Sequence, residues 1–333
     1  MNLMTSASRS QDSTLIVATD TLSADQIKEM EEACPEGTAI RQTNERDPDM
    51  GLLRQADIAV GFFTPQAMHQ CTGLKWLQLT VVGFEKYVEP GVIPAGAIVT
   101  NAHGAFGQEV SEHMFAVLLS LMKKLEIYRD NQSKHVWRDE GMVRTLDGAR
   151  VVVVGAGDIG THFARLCTAM GAHCVGFRRH VPDALPAGFE EILTMDGLAA
   201  AARSADVVAS FLPYSPETTG LFDAGFFASM KVGSYFLNGG RGNSVVLDDL
   251  SDALESGHLA GAGLDVFDVE PLPADNRLWS VPTAVITPHI AGNIRGDFHL
   301  DAAAETTTRL VCGNLRRWFA GEPLTNVVRA PQD

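Results

Sequence analysis

The sequence predicts an α/β protein of two domains, one of them a doubly wound parallel sheet, and three observations lead to this prediction. The chain has 333 residues, which corresponds to about two domains. Short β-branched runs alternate with helical patterns, as they do where helices connect parallel strands. This alternation is most regular at 104–292. We therefore expect a doubly wound domain over 104–292, inserted in a discontinuous second domain formed by residues 1–103 and 293–333.

The residues before the central domain predict short strands and one acidic helix. Each strand is a short run rich in β-branched and apolar residues, bounded by polar residues, glycine or proline. The predicted strands span 14–19, 56–62, 74–80 and 97–101, and the helix spans 24–34.

A long helix is predicted from Gln108 to about Arg129, where apolar side chains such as Met114 and Leu118 recur at helical spacing. The apolar stripe is wide enough for a buried packing helix. A C-terminal helix at 302–319 is assigned to the second domain.

A glycine-rich turn follows the first strand of the central domain. Four consecutive valines at 151–154 predict a strand covered on both faces. Gly155 allows the tight turn out of this strand, Gly157 lets a pyrophosphate approach the backbone, and Gly160 lets the next helix pack closely. The N-terminus of that helix then offers N–H groups to the phosphates.

The context of this turn decides between two interpretations. Glycine-rich turns also occur for structural reasons alone, but this one lies between a strand and an amphipathic helix that stops at Gly171. The turn therefore predicts a Rossmann dinucleotide site. The residues predicted to contact the dinucleotide here are Gly155, Gly157, Asp158, Ile159 and Gly160.

Beyond this turn the alternation of strands and helices continues to the end of the central domain. The predicted strands span 174–177, 206–212, 235–238, 263–267 and 284–287, and the predicted helices span 198–203, 224–230 and 248–256.

The end of the second central strand bears on which dinucleotide binds. Sites for NAD place Asp or Glu there to hold the ribose 2′-hydroxyl, whereas this chain has Arg178 followed by Arg179. A guanidinium accepts no hydrogen bond but pairs well with a 2′-phosphate. The sequence favours NADP(H), with NAD(H) bound by other groups as the alternative.

Three charged residues follow successive strands of the same sheet, next to glycine or proline: Arg241, Glu270 and His289. Ligands bind at the carboxyl ends of such strands. Taken singly, each has an ordinary interpretation as a surface arginine, a loop end or a structural histidine. Together they match hydride transfer at a 2-oxo acid. An arginine holds the carboxylate, a histidine exchanges the proton and a carboxylate stabilises the imidazolium.

Through these motifs the chain resembles the D-isomer-specific 2-hydroxyacid dehydrogenase family over nearly its whole length. The resemblance rests on the glycine turn, on the segments with the three charged residues, and on the segments 101–104 and 211–218. It implies a Rossmann cofactor domain inserted in a discontinuous flavodoxin-like substrate domain. It also implies an NAD(P)-dependent enzyme that acts on CH–OH groups, and a homodimer formed through the long helix region.

The same resemblance implies roles for individual residues. Arg241 would bind and polarise the substrate, His289 would be the general acid and base, and Glu270 would be its partner. The backbone of Val82 and Gly83 would meet the substrate carboxylate. The residues implied to line the cofactor are Leu212, Pro213, Gly239, Gly240, Asp265 (beside the nicotinamide carboxamide) and Gly292.

The chain departs from the family pattern in places that bear on its specificity. Arg178 replaces the acidic ribose-binding residue, which puts NAD in doubt. The substrate loop at 80–85 reads Thr-Val-Val-Gly-Phe-Glu, where relatives more often have a small residue before the glycine and Val-Asp after it. Glu270 argues against the formate-oxidising branch, which has Gln there. The absence of a regulatory domain before Asp333 argues against a large allosteric phosphoglycerate dehydrogenase.

Composition excludes other classes of function. With 26 Lys and Arg against 41 Asp and Glu the formal charge is −15, which repels phosphate backbones, so no nucleic-acid partner is expected. No apolar run approaches a membrane span, and residues 1–13 lack the apolar core of a signal peptide. The five scattered cysteines predict neither a disulfide framework nor a zinc site. We expect a cytoplasmic protein with a small-molecule partner and no metal.

The predicted function is NAD(P)H-dependent, reversible reduction of a small 2-oxo acid to the D-2-hydroxy acid, with glyoxylate, hydroxypyruvate or a larger 2-keto acid as substrate. An alternative is a non-catalytic NAD(P)-binding sensor or corepressor of the same family, which would not need all three charged residues. A third is a structural α/β module with a vestigial site. Several other histidines, His113 among them, lack ligand spacing and are expected to be surface or packing residues.

Overall fold

The computed structural model describes residues 14–292 and 302–330, and the chain divides into two compact units. Unit 1 comprises the described residues up to Ala105 together with those from Ala302 onward, and unit 2 begins at Phe106. The predicted boundary between residues 292 and 293 adjoins residues 293–301, and these, like residues 1–13, lie outside the described residues.

The first part of unit 1 alternates strands with short helices. It contains β1 (Leu15–Thr19), α1 (Ala24–Glu32), β2 (Ala39–Thr43), α2 (Met50–Leu53), β3 (Ile58–Val60), α3 (Pro65–His69), β4 (Trp76–Gln78) and β5 (Ile98–Thr100). The predicted strands and the acidic helix are present but shorter. The sequence did not predict β2, α2 and α3, because β2 exposes polar Arg41 and Gln42 and the two helices are too short for a helical period.

Unit 2 holds the longer elements, and the chain then returns to unit 1 with its last helix and strand. Unit 2 contains α4 (Gly107–Lys123), α5 (Leu125–Ser133), β6 (Arg150–Val154), α6 (Asp158–Ala169), β7 (His173–Phe177), β8 (Glu191–Leu193), α7 (Leu198–Ala202), β9 (Val207–Ser210), α8 (Ala224–Ser229), β10 (Ser234–Asn238), α9 (Leu247–Glu255), β11 (Leu259–Leu264) and β12 (Ala284–Ile286), and unit 1 is completed by α10 (Ala302–Ala320) and β13 (Val327–Arg329).

The prediction of one continuous helix from 108 to 129 is wrong. Lys124 has a φ of 57°, in the left-handed region, and separates α4 from α5. The strand that the sequence predicts over 263–267 corresponds to β11, and it ends at Leu264 rather than at Phe267. The residues after Leu264 therefore belong to a loop at the carboxyl end of β11.

The sheet of unit 2 is doubly wound, as predicted. Among the described residues its strands run in the order β12-β11-β10-β9-β6-β7-β8, and all pairs are parallel. The order reverses at β6, so the crevice at the carboxyl ends of β6 and β9 is the topological switch point where ligands bind in such sheets.

The sheet of unit 1 has the order β13-β5-β4-β3-β1-β2 within the described part of the chain. Strands β1 to β5 are parallel in the flavodoxin-like order 2-1-3-4-5, and β13 is antiparallel to β5. This arrangement confirms the predicted fold class of a Rossmann-like domain and a flavodoxin-like, discontinuous domain.

The cores lie on both faces of each sheet. In β6, Val152 and Val154 join the apolar cluster on one face, whereas Val151 and Val153 join the cluster on the other. All four are fully buried, which explains why the strand is an uninterrupted apolar run. None of the helices in the described ranges has the length and apolarity that crossing a membrane requires.

Candidate active site

The glycine turn after β6 has the geometry of a phosphate cradle. Gly155 has a φ of 94° and packs on the backbone of Phe211, and a methyl group at Gly160 would lie 2.4 Å from the carbonyl oxygen of Gly155. A methyl group at Gly157, in contrast, would meet no heavy atom of the described residues within 4 Å. The space above Gly157 is therefore open to a ligand at the N-terminus of α6, and a pyrophosphate fits there.

The two residues after Gly157 begin α6. Ile159 is half-buried. The Asp158 carboxylate is turned toward the first residue of α4, since a methyl group on Gly107 would lie 2.6 Å from its Oδ1. Asp158 Oδ1 is also 3.7 Å from His162 Nε2. The side chain thus contacts α4 and its own helix, and the backbone of the turn is what faces the open space.

The loops that follow β9 and β10 lie against each other. A methyl group on Gly240 would lie 2.5 Å from the carbonyl oxygen of Leu212, and one on Gly239 would meet Met114 at 2.8 Å. Leu212 is buried and Pro213 is exposed. The structure therefore brings together three of the loops predicted to line the cofactor, those after β6, β9 and β10.

Arg178 and Arg179 follow β7, the neighbour of β6. The backbone N–H of Arg178 donates to the carbonyl oxygen of Leu193 on β8, and its side chain is half-buried, whereas Arg179 is exposed. Both cations follow the strand next to the glycine turn, where the adenosine ribose lies in such folds.

The loop after β10 fixes the position of Arg241. The side-chain amide of Asn238 donates to the Arg241 carbonyl oxygen over 3.0 Å, and Ser244 Oγ donates to the same oxygen over 2.9 Å. Gly242 packs on the backbone of Phe267, because a methyl group there would lie 1.9 Å from the Phe267 carbonyl carbon. The loop that carries Arg241 therefore touches the loop after β11, and no residue larger than glycine fits at the contact.

Glu270 lies in that second loop and forms a hydrogen bond with His289. Glu270 Oε1 accepts the backbone N–H of Phe267 over 2.9 Å, and Oε2 lies 2.8 Å from His289 Nδ1. A carboxylate only accepts, so Nδ1 carries the hydrogen, and the exchange of a proton between Nε2 and a substrate stays a prediction. The imidazole is half exposed, at 51%. Arg241, Glu270 and His289 thus follow three adjacent strands, on loops joined by the Gly242 contact and this hydrogen bond.

The Asp265 carboxylate binds residues on both sides of His289. This carboxylate is 2% exposed. It accepts the Thr287 hydroxyl at 2.6 Å, the Ile290 N–H at 2.9 Å and the Ala291 N–H at 3.0 Å. His289 itself has a φ of 54°, a left-handed conformation that costs a residue other than glycine roughly 1–2 kcal/mol. The bonds to Asp265 hold the loop in that conformation.

The loop of Val82 and Gly83 belongs to unit 1. The carbonyl oxygen of Val82 accepts the side-chain amide of Asn101 over 2.7 Å, and the carbonyl oxygen of Val81 accepts the backbone N–H of Ala102. The loop is therefore fixed to the end of β5. The contact of Val82 and Gly83 with a substrate carboxylate stays a prediction.

Gly292 lies against α4 and against Phe106, the residue that precedes α4. A methyl group on Gly292 would lie 3.3 Å from the ring of Phe106 and 3.4 Å from the side chain of Val110. Gly292 ends the described loop that contains His289, and its contact with a cofactor stays a prediction.

Four supporting residues were not assigned a role from sequence. Asn101, Asn238 and Thr287 lie in motifs that the sequence analysis used, and Asn238 and Thr287 come directly before a glycine and a proline, which was an available signal. His113 was expected to be a surface or packing residue, but its Nε2 lies 3.0 Å from Thr287 Oγ1. No sequence pattern joins two residues so far apart in the chain.

Other reactive groups do not compete with this site. Burial raises the pKa of the Cys34, Cys71 and Cys312 thiols to about 11, so these thiols are protonated at neutral pH. Within residues 14–292 and 302–330 there is no group of three or more His, Cys, Asp or Glu side chains placed to hold a metal ion.

Comparison with known proteins gives a match to one family. The family profile described as D-isomer specific 2-hydroxyacid dehydrogenase, NAD binding domain, matches residues 115–291. The chain is 28% identical to glyoxylate/hydroxypyruvate reductase A of Photorhabdus laumondii over 295 residues, which cover 86% of this chain and 90% of that protein.

Solved structures agree with the sequence comparison. A D-isomer specific 2-hydroxyacid dehydrogenase family protein from Aeromonas salmonicida is 30% identical, with a TM-score of 0.82 and coverage of 95% of this chain and 98% of that one. The NADPH-dependent glyoxylate/hydroxypyruvate reductase of Sinorhizobium meliloti, in complex with NADP and sulfate, is 26% identical, with a TM-score of 0.76 and the same coverage.

Proposed function

This chain belongs to the D-isomer specific 2-hydroxyacid dehydrogenase family, and from that premise we propose that it is an NADPH-preferring reductase of a small 2-oxo acid. The family consists of oxidoreductases that act on CH–OH groups. The observation that carries the proposal is the His289–Glu270 hydrogen bond of 2.8 Å, on loops in contact with the loop of Arg241. A sensor without catalysis does not need this arrangement.

The chain's own residues account for binding and proton transfer. A bound reduced nicotinamide supplies the hydride that reaches the keto carbon. Arg241 pairs with the substrate carboxylate and polarises the keto group. His289 gives the Nε2 proton to the keto oxygen, so that hydride and proton together convert C=O to CH–OH. Glu270 stabilises the imidazolium and fixes the ring through Nδ1. In the reverse direction His289 takes the proton back.

The proposed cofactor is NADP(H), with NAD(H) as a poorer alternative. The support is the pair of arginines, 178 and 179, after β7, where an acidic residue would hold an NAD ribose. The similar reductase of S. meliloti is NADPH-dependent and was solved with NADP. The open space above Gly157 fits the pyrophosphate of either dinucleotide.

The proposed substrates are glyoxylate and hydroxypyruvate, with larger 2-keto acids as the alternative. The similarity to the P. laumondii glyoxylate/hydroxypyruvate reductase supports the smaller acids. We also propose a cytoplasmic homodimer. Cysteines that form no disulfide within the described residues suit a reducing compartment. Apolar side chains after α5, with Trp137 fully exposed and Met142 93% exposed, are suited to burial against a second copy.

The experiment measures NADPH and NADH oxidation with a panel of 2-oxo acids, in the wild type and in His289→Gln. We expect His289→Gln to lower kcat by about 10²–10⁴-fold while it still binds NADPH. The matched control is His173→Gln. His173 also pairs with a glutamate, Glu190, at 2.6 Å, but lies at the amino end of β7, and its replacement should leave turnover unchanged. A wild type that binds NADPH but oxidises it with no 2-oxo acid would favour the sensor instead, and full turnover in His289→Gln would refute the role of His289.

A further inference from the structure

A hydrogen-bond relay connects α4 to the loop that carries His289. His113 Nε2, on α4, lies 3.0 Å from Thr287 Oγ1, and Thr287 Oγ1 lies 2.6 Å from Asp265 Oδ1. His113 Nε2 is also 3.8 Å from that carboxylate oxygen. We propose that His113 is a positioning residue of the reaction, which holds the His289 loop in place through Thr287 and Asp265. This inference rests on the proposed function and adds a residue to it.

The direction of the relay follows from the number of protons available. The Thr287 hydroxyl has one proton, and the Asp265 carboxylate only accepts, so that proton belongs to the bond with Asp265. The bond between His113 and Thr287 therefore needs a hydrogen on His113 Nε2. The imidazole is a donor at this atom in both its Nε2–H tautomer and its charged form. An apolar side chain at 113 cannot replace it.

Asp265 depends on these donors because it is almost completely buried, at 2% exposure. A buried carboxylate is costly unless hydrogen bonds compensate its charge. Two of its donors are the N–H groups of Ile290 and Ala291, directly after His289. The third is the Thr287 hydroxyl, which a donor at His113 polarises and so strengthens. Loss of His113 therefore weakens the bond from Thr287 to Asp265, which is one of the three hydrogen bonds that hold the left-handed backbone of His289.

The His113 side chain is less enclosed than a residue of the core. Its side chain is 23% exposed, whereas its neighbour Met114 is fully buried and fills the core. If His113 only filled space, leucine would replace it with no loss of turnover.

The test compares His113→Leu, which removes the donor, with His113→Gln, whose side-chain amide reaches about as far as the imidazole Nε2 and donates. Four quantities are measured: kcat, the KM for glyoxylate with NADPH, the NADPH Kd from nucleotide fluorescence, and hydrogen exchange in peptides that contain Ile290 and Ala291. In His113→Leu we expect kcat to fall by about 10–100-fold, the usual effect of losing an outer-shell partner. KM and Kd should stay within about threefold, and the two amides should exchange at least about tenfold faster. His113→Gln should stay within about threefold of the wild type in all four.

A second variant keeps the inference falsifiable if His113→Leu does not fold. Thr287→Val is nearly the same size and breaks the relay at its centre, so it should reproduce the loss in kcat. The double variant His113→Leu/Thr287→Val should be no less active than Thr287→Val alone, because Thr287→Val already removes the bond that His113→Leu removes. Wild-type kcat in His113→Leu or in Thr287→Val, failure of glutamine to restore kcat, or additive losses would each overturn the role of His113.

The two proposals fail in different ways. A wild type that reduces no 2-oxo acid refutes the proposed function and leaves the exchange comparison intact. Exchange at Ile290 and Ala291 that is the same in His113→Leu and in the wild type refutes the relay, whatever the activity.

Discussion

Gly157 differs from the other two glycines of its turn in what surrounds it. Gly155 has a positive φ and Gly160 contacts a carbonyl oxygen, so both are needed for the backbone path itself. Gly157 has an ordinary φ of −88° and open space where a side chain would be. Its lack of a side chain serves no contact with the part of the chain that the structure describes, which is the pattern expected of a residue kept small for a ligand.

Arg178 should decide the choice between the two dinucleotides. In Arg178→Asp the carboxylate repels a 2′-phosphate and accepts from a ribose hydroxyl, so kcat/KM with NADPH should fall at least about tenfold and kcat/KM with NADH should hold or rise. Steady-state kinetics with both cofactors at a fixed 2-oxo acid measure the change.

The control for this variant is Arg203→Asp, which makes the same change in net charge at the exposed end of α7. It should leave the ratio of the two kcat/KM values unchanged. A wild type that prefers NADH tenfold or more would contradict the assignment of NADP(H).

At the scale of the elements, α4 forms the support of the candidate site. Gly263 on β11 lies so close to Val117 of α4 that a methyl group there would meet it at 2.3 Å. Small residues on this strand thus let the helix lie against the sheet, and the helix carries His113 to the loop after β12. The sequence predicted the buried stripe of this helix, but not its end at Lys124. The apolar spacing continues from Leu121 to Leu125 across the break, so periodicity alone does not reveal it.

The side chain of Asp206, just before β9, connects the start of β9 to the start of the neighbouring strand β6. Its carboxylate accepts the backbone N–H of Arg150, the first residue of β6, over 2.9 Å, and it accepts Lys231 Nζ over 2.6 Å. Burial opposes ionisation of Asp206, but the bonds from Lys231 and Arg150 outweigh it and lower its pKa below the ordinary value. A lowered pKa means that the ionised form stabilises the fold above the ordinary pKa, and that this stability is lost as pH falls through the folded-state value.

Asp206→Asn should therefore lower the free energy of unfolding by about 1–3 kcal/mol at neutral pH. The difference from the wild type should shrink in acid, below the ordinary pKa of 3.8. Urea unfolding of both proteins at several pH values measures this difference in the free energy of unfolding. Asp252→Asn is the control, because its bond to Arg277 is on the surface, with Asp252 69% exposed, and is worth about 0–1 kcal/mol. Equal losses in the two variants, or a loss for Asp206→Asn that persists in acid, would contradict this account.

At the scale of the whole molecule, the proposed homodimer can be tested through the exposed apolar residues after α5. Sedimentation equilibrium should give the wild type twice the chain mass of 35.8 kDa. The double variant Trp137→Arg/Met142→Arg should shift the measured mass toward that of one chain, because charge in a buried apolar contact is costly.

The matched control is Trp279→Arg, which changes another exposed tryptophan. It should leave the mass unchanged. A wild type of one chain mass would refute the dimer, and a double variant of unchanged mass would place any interface elsewhere.

By itself the sequence determined the doubly wound sheet, the glycine turn and the three charged residues after successive strands. These depend on signals that adjacent residues carry: the four valines at 151–154, the spacing of Gly155, Gly157 and Gly160, and the glycines and prolines at strand ends. Only the tertiary structure decided how the loops meet. The Gly242 contact with Phe267, the orientation of His289 toward Glu270 and the relay from His113 join residues up to 174 positions apart. Such contacts depend on how strands and helices pack in space, and the local spacing of residue types contains no record of that packing.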